Sequence, residues 1–153
     1  MSEETAESLE STVQFVCFYV GEVLCGIDIR KAQEINKDMN ITQVPLAEDY
    51  VRGIMNLRGK IVTIVDLGRK LELTPVKHGE ESKIVIVSWQ DEFVGLLVDK
   101  IYDVVAEQEE NILPAPSNIE GAKGKYFQGV IKREDTLIGL LDVETVLAPS
   151  KED

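Results

Sequence analysis

The sequence predicts a mainly β protein: two small five-stranded barrels that repeat one plan, packed together, with a few short helices. Two observations predict it. The first is self-similarity. Moved by 69 residues, "VCFYVGEVLCGIDIRKAQEI" (16–35) falls without gaps on "VIVSWQDEFVGLLVDKIYDV" (85–104), setting Gly26 on Gly95, Ile29 on Val98 and Glu34 on Asp103. Moved by 76, "GIMNLRGKIVTIVDLGRKL" (53–71) falls on "GVIKREDTLIGLLDVETVL" (129–147), setting Gly53 on Gly129, Asp66 on Asp142 and Leu71 on Leu147. The change of offset places seven extra residues in the second copy, between 105 and 128. The second observation is the texture of each copy. Short runs of β-branched and aromatic residues follow one another closely, broken by turn residues, as in a small barrel rather than a βαβ sheet.

Taken in order, Phe15–Val20 reads as a strand turned by Gly21-Glu22 into a second, Val23–Ile27. A third extended stretch runs from about Ala32 to Lys37. Val51–Met55 and Lys60–Val65 flank the turn Asn56-Leu57-Arg58-Gly59 as a hairpin. Asp66 follows as a helix N-cap, because Leu67 and Leu71 stand one helical turn apart. The second copy repeats this with strands at Lys83–Trp89, Phe93–Val98, Ile101–Val105, Tyr126–Lys132 and Leu137–Leu141. Asp142 then caps Val143, Val146 and Leu147. "ELTPVKHGEES" (72–82) is polar, carries Pro75 and Gly79, and joins the copies as a linker. Halves of about 70 residues are marginal alone. The expectation is therefore a single domain over 13–148: a first barrel about 13–71, and a second about 83–141 with a C-terminal helix about 142–148. The two pack through apolar outer faces with a groove at the seam, and strand exchange between them stays open. The acidic tail 1–12 and the tail 149–153 are expected to be disordered.

A formal net charge of −12 sets limits on partners. It repels phosphate backbones and anionic membranes, and Lys and Arg are scattered, densest at Arg30-Lys31 and at Lys123 with Lys125. A nucleic-acid-binding barrel is thus a remote alternative. Apolar runs such as Ile84-Val85-Ile86-Val87 are far too short for membrane insertion. The N-terminus "MSEETAESLEST" has no apolar core of a secretory signal, which makes the cytoplasm the default location.

Catalytic chemistry finds little to use. His78 is the only histidine and sits in the linker between Lys77 and Gly79, where nothing positions an imidazole beside a nucleophile. Glu80-Glu81 and Glu109-Glu110 read as solvated charge runs, and Asp66 with Asp142 as caps rather than an acid/base pair. No phosphate-loop, dinucleotide or nucleophile-elbow pattern occurs, and no zinc-ligand spacing. The expectation is no enzyme, no cofactor and no metal. Cys17 and Cys25 are spaced so that a disulfide stays open, but a cytoplasmic chain favours buried free thiols. The turn Asn56–Gly59 is the feature left over. As architecture it is a hairpin loop with Gly59 left-handed and Arg58 in water. The second copy makes the same turn from Lys132-Arg133-Glu134-Asp135, so Arg-Gly is not needed to build it, which favours a binding surface.

"GIDIRKAQEI", "VRGIMNLRGKIVTIVDL", "VGLLVDKIYDVV" and "ILPAP" together resemble the bacterial chemotaxis coupling protein (CheW) family, over roughly 13 to 148. The resemblance implies two SH3-like five-stranded β-barrels and a non-enzymatic adaptor of two-component signalling. Such an adaptor bridges the cytoplasmic tip of methyl-accepting chemoreceptors to the regulatory domain of the chemotaxis histidine kinase, itself a similar double barrel. It implies a cytoplasmic protein recruited to membrane-associated receptor arrays, or the same role in a non-motility chemosensory pathway. Carried over by position, the receptor-facing residues are Ala32, Glu34, Gly53, Asn56, Leu57, Arg58, Gly59, Ile84, Val85, Gly95 and Ile101. Kinase contacts fall on Val16, Ile29 and Ile35, with a second contact at Leu113 and Asn118 in the loop "ILPAPSNI". Leu113 and Asn118 depart from the family, which often has a charged residue and a large apolar one there. In a barrel, the third strand is expected beside the 53–65 hairpin, which brings Glu34 within salt-bridge distance of Arg58.

Overall fold

The structure, a computed structural model, describes residues 11–148. In chain order the strands are β1 (Thr12–Val20), β2 (Val23–Asp28), β3 (Ala32–Asn36), β4 (Val51–Leu57) and β5 (Lys60–Asp66), followed by the short helix α1 (Leu67–Lys70). The second copy gives β6 (Lys83–Trp89), β7 (Glu92–Val98), β8 (Lys100–Gln108), the two-residue strands β9 (Asn118–Ile119) and β10 (Ala122–Lys123), β11 (Phe127–Arg133), β12 (Thr136–Leu141) and α2 (Val143–Leu147). Single 3-10 turns stand at Glu109–Asn111 and Gly124–Tyr126. The protein is mainly β, as expected. The expected disorder of 1–12 and 149–153 lies outside the described residues except at Ser11 and Thr12. Those two are placed: Thr12 opens β1 opposite Gln108, and the Ser11 carbonyl accepts from the Glu109 N–H at 3.0 Å.

The strands form two five-stranded sheets, ordered β11-β12-β2-β1-β8 and β3-β6-β7-β5-β4. The strictly consecutive form of the expected barrels, 13–71 and 83–141, is therefore corrected in favour of the strand exchange that the sequence left open. Each sheet takes the first hairpin of one copy and the third strand and second hairpin of the other. The exchange is symmetric, so both copies keep the same connectivity. Two parallel contacts join the copies: β5 on β7, from Thr63↔Val94 to Asp66↔Leu97, and β12 on β2, at Gly139↔Cys25 and Leu140↔Gly26. Parallel neighbours need a long crossover, and here the whole intervening chain provides it.

Pleating explains the core. Along β6 and β7, Ile84, Ile86 and Leu97 point to one face and Val85, Val87 and Leu96 to the other, and all six are buried. A sheet covered on both sides reads as a continuous apolar run, which is why Ile84-Val85-Ile86-Val87 has no polar alternation. Both sides belong to a cluster shared with Val16, Phe18, Val20, Cys25 and Ile27 of the other sheet. The opposite face of that other sheet holds a separate cluster of Phe15, Cys17, Leu24, Ile131, Ile138 and Leu140. The two cysteines thus lie in different clusters, both buried and both free. Burial pushes the Cys17 thiol up to about 12.

Both aspartates cap helices as expected: Asp66 accepts from the Arg69 N–H at 3.1 Å and Asp142 from the Thr145 N–H at 3.2 Å. Their own N–H groups donate to the equivalent carbonyls of Tyr50 and Tyr126. Asp66 does more. Fully buried, it faces Arg52 Nη2 at 3.0 Å and accepts the Val76 N–H at 3.1 Å, while Arg52 Nη2 donates to the Val76 carbonyl at 2.6 Å. This knot ties the linker to the β4–β5 hairpin and buries Val76. In the second copy Gln128 stands where Arg52 would.

The copies should therefore differ in what the cap is worth. Asp142→Ala removes a cap and should cost about 1 kcal/mol. Asp66→Ala also strands Arg52 and the Val76 N–H, and should cost about 3–5 kcal/mol. Urea unfolding of the two variants side by side checks this, and equal costs would refute the knot.

Candidate site at the Asn56–Gly59 hairpin tip

The turn follows from its residue types. β4 and β5 pair down to Leu57↔Lys60, leaving Arg58 and Gly59 as a two-residue loop. Both have positive φ, +52° and +86°, as a type I′ turn requires. Glycine takes that conformation freely and arginine does not. Asn56 offsets the difference, because its side-chain Oδ1 accepts the Gly59 N–H at 2.9 Å. Leu57 is buried, while Asn56, Arg58 and Gly59 are exposed. In the second copy Glu134 likewise has positive φ, with Lys132 in place of the clamping asparagine.

Arg58 Nη2 meets Glu34 Oε1 at 2.6 Å, as expected. The route differs from the expected adjacency of strand and hairpin. β3 and β4 are the two edges of their sheet, four strand spacings apart, or about 19 Å if it were flat. Side chains of this length cannot span that gap, so the sheet rolls until its edges face one another and the pair bridges them. The other sheet does the same with a neighbouring residue. Arg133, at the end of edge strand β11, donates to the Ala106 carbonyl at 2.6 Å and faces Glu107 at 3.2 Å on edge strand β8. The hydrogen bond that Arg58 donates to Glu34 raises the Arg58 pKa above the usual arginine range. Its guanidinium remains a fixed, solvent-facing cation.

The structure divides the predicted receptor-facing residues into two groups. Asn56, Arg58 and Gly59 are exposed at the tip, and Ala32, Glu34 and Ile101 are half-buried. Gly53, Leu57, Ile84, Val85 and Gly95 are buried, so they shape the surface from beneath rather than touch a partner. A Cβ on Gly95 would come within 2.6 Å of Ile64 Cδ1 and 2.7 Å of Ile84 Cγ2, and one on Gly53 would strike the Thr42 carbonyl. Of the kinase-facing residues Val16 is buried, whereas Ile29, Ile35, Leu113 and Asn118 are exposed. They do not form one patch by strand order: Ile29 follows β2 in one sheet, Ile35 lies on β3 in the other, and Leu113 bridges to Val130 of β11.

A cleft of about 900 Å³ lies beside the linker, lined by Tyr19, Pro75, Ser82, Asp99 and Lys100. Its Asp99 carboxylate is occupied by the Gly21 and Lys77 N–H groups at 2.7 and 3.2 Å. His78 is exposed in the linker. Among the described residues no group of three or more His, Cys, Asp or Glu is placed to hold a metal, and no helix is long and apolar enough to cross a membrane.

Two rolled, strand-exchanged sheets with a rigid charged hairpin tip make a small β module built for protein contact. Comparison with known proteins gives the family. The CheW-like domain matches residues 14–150. The chain is 34% identical to the chemotaxis protein CheW of Treponema pallidum over 143 residues, covering 91% of this chain and 84% of that protein. It is 29% identical to the chemotaxis protein CheW of Bacillus subtilis, covering 94% and 91%. The crystal structure of scaffolding protein TtCheW from Thermoanaerobacter tengcongensis superposes with a TM-score of 0.83 at 28% identity, covering 92% of this chain and 91% of that one. The chain belongs to the CheW-like domain family.

The buried glycines carry a prediction. Gly53→Ala and Gly95→Ala should each destabilise the fold by about 1–3 kcal/mol through overpacking, as read by thermal unfolding. Either variant remaining as stable as the native chain would contradict their placement.

Proposed function

We propose that the chain is a non-enzymatic adaptor that couples chemoreceptors to the chemotaxis histidine kinase in two-component signal transduction. The observation that carries this reading is the Arg58–Glu34 pair, which fixes a cation on an exposed tip at the junction of two sheet edges. The tip of a receptor's helical hairpin has an apolar stripe with charged flanks. Ala32 and Ile101 offer apolar surface, and Asn56, Arg58, Gly59 and Glu34 offer polar contacts in fixed geometry. The names of the relatives, chemotaxis proteins and a scaffolding protein, support the same role. Ile29 and Ile35 then serve the regulatory domain of the kinase, and Leu113 with Asn118 serves a second contact of the same type. The site of action is the cytoplasm, at membrane-associated receptor arrays.

Contacts through small surfaces are weak singly and add up in arrays. An isolated receptor fragment should bind in the micromolar range, at about −8 kcal/mol. Arg58 is exposed, so Arg58→Glu should leave the melting temperature nearly unchanged. It should abolish binding of the fragment and spare binding of the kinase regulatory domain, measured by calorimetric titration. Unfolding of the variant would make Arg58 a structural residue. Unchanged binding of both partners would make the turn only a turn.

A further inference from the structure

We infer that Ile61 is the apolar anchor beside the Arg58 tip, taking the apolar stripe of the receptor's helical hairpin. This rests on the receptor-binding reading of that tip and adds a residue to it. Ile61 is 64% exposed, more than any other large apolar side chain on the described strands. It sits one strand pair from the turn of the hairpin, three residues beyond Arg58.

Register shows which neighbours share its face. Ile61 pairs directly with Asn56, and the next pair along the hairpin on that face is Ile54↔Thr63. From Thr63 the row continues to Val94, Val87 and Ala32, crossing all five strands. Ile61 therefore lies on the same face as Asn56 and Ala32, two receptor-facing residues on opposite edge strands. The row is buried at Val94 and Val87, half-buried at Ala32 and open at Thr63, beside Ile61. A single exposed isoleucine is ordinary. One that stands beside a row running through Val94 and Val87 to Ala32, on the same face, offers an apolar contact at a candidate interface.

The flanks match the proposed occupant. Ile61 shares an open cleft of about 360 Å³ with Lys60, Asp91, Glu92 and Phe93. Lys60 is held over the Phe93 ring, its Nζ 5.2 Å from the centroid. The cleft thus sets an apolar side chain beside a cation, Lys60, and two anions, Asp91 and Glu92. A helix whose apolar stripe is edged by charges of both signs fits that pattern. The repeat supplies a control. Leu137 is the equivalent of Ile61 and is 38% exposed, but its turn carries Glu134-Asp135 in place of Arg58-Gly59.

The test is titration of a chemoreceptor hairpin-tip fragment into four full-length proteins: native, Ile61→Thr, Leu137→Thr and Arg58→Glu. Threonine keeps the β-branch, so folding is preserved while the apolar reach is lost. Ile61→Thr should weaken the fragment by about thirtyfold, the lower bound of an interface hot spot. Leu137→Thr should leave it unchanged, and both should bind the kinase regulatory domain like the native protein. Native affinity for Ile61→Thr alongside a loss for Arg58→Glu would overturn the anchor and leave the receptor reading standing. Equal weakening by Ile61→Thr and Leu137→Thr would also overturn it, by assigning the effect to hairpin stability. No binding of the fragment by the native protein would overturn the receptor reading, and the anchor with it.

Discussion

Everything in this molecule depends on two parallel strand contacts, β5 on β7 and β12 on β2. Each copy of the repeat makes a hairpin that its own third strand and second hairpin do not use. The other copy's strands complete the sheet. Neither half holds a finished core, because the cluster at the seam draws on both sheets and fills both faces of β6 and β7. A duplicated chain with consecutive barrels would have two small cores, each marginal at this size. Exchange replaces them with a core that is shared.

The same constraint builds the site. β3 is the third strand of the first copy, yet it is held in place by β6 of the second, with Glu34 opposite Ile86. The β4–β5 hairpin joins that sheet from the other side, through β7. Rolling the sheet then brings two segments of the first copy, 34 and 58, face to face across strands of the second. Twist and core packing roll the sheet, and the exposed ion pair, a weak contributor to stability, fixes the direction of a guanidinium. The copies have diverged on this common frame. One sheet is bridged by Arg58 to Glu34, the other by Arg133 to Glu107, and the buried Asp66–Arg52 knot has no counterpart at Asp142 and Gln128.

Local features were legible because local physics determines them. Alternation and turn residues located every hairpin strand within a few residues, and Asp66 and Asp142 were readable as caps from the leucine and valine spacing behind them. Pairing was less legible, because a strand's pattern states which face is apolar and not which strand lies beside it. Consecutive barrels and exchanged sheets have the same alternation. The Glu34–Arg58 contact was foreseen from the strand lying beside the hairpin, and roll of the sheet brings the two together without any pairing between β3 and β4. Burial of Ile84 and Val85 was written in the unbroken run Ile84–Val87, the signature of a strand covered on both faces. Resemblance placed them on a surface. Ile61 went unremarked because it sits in the apolar run of β5, although it is out of phase with the buried Val62 and Ile64.

The central claim is that the rolled edge, where β3 meets the β4–β5 tip, is the receptor-facing surface. The most direct measurement is an amide chemical-shift titration of the labelled protein with an unlabelled receptor hairpin fragment. The account predicts that shifts concentrate at 32–34 and 56–61, with amides at 113–118 unmoved. Shifts concentrated at 113–118, with the tip silent, would contradict it.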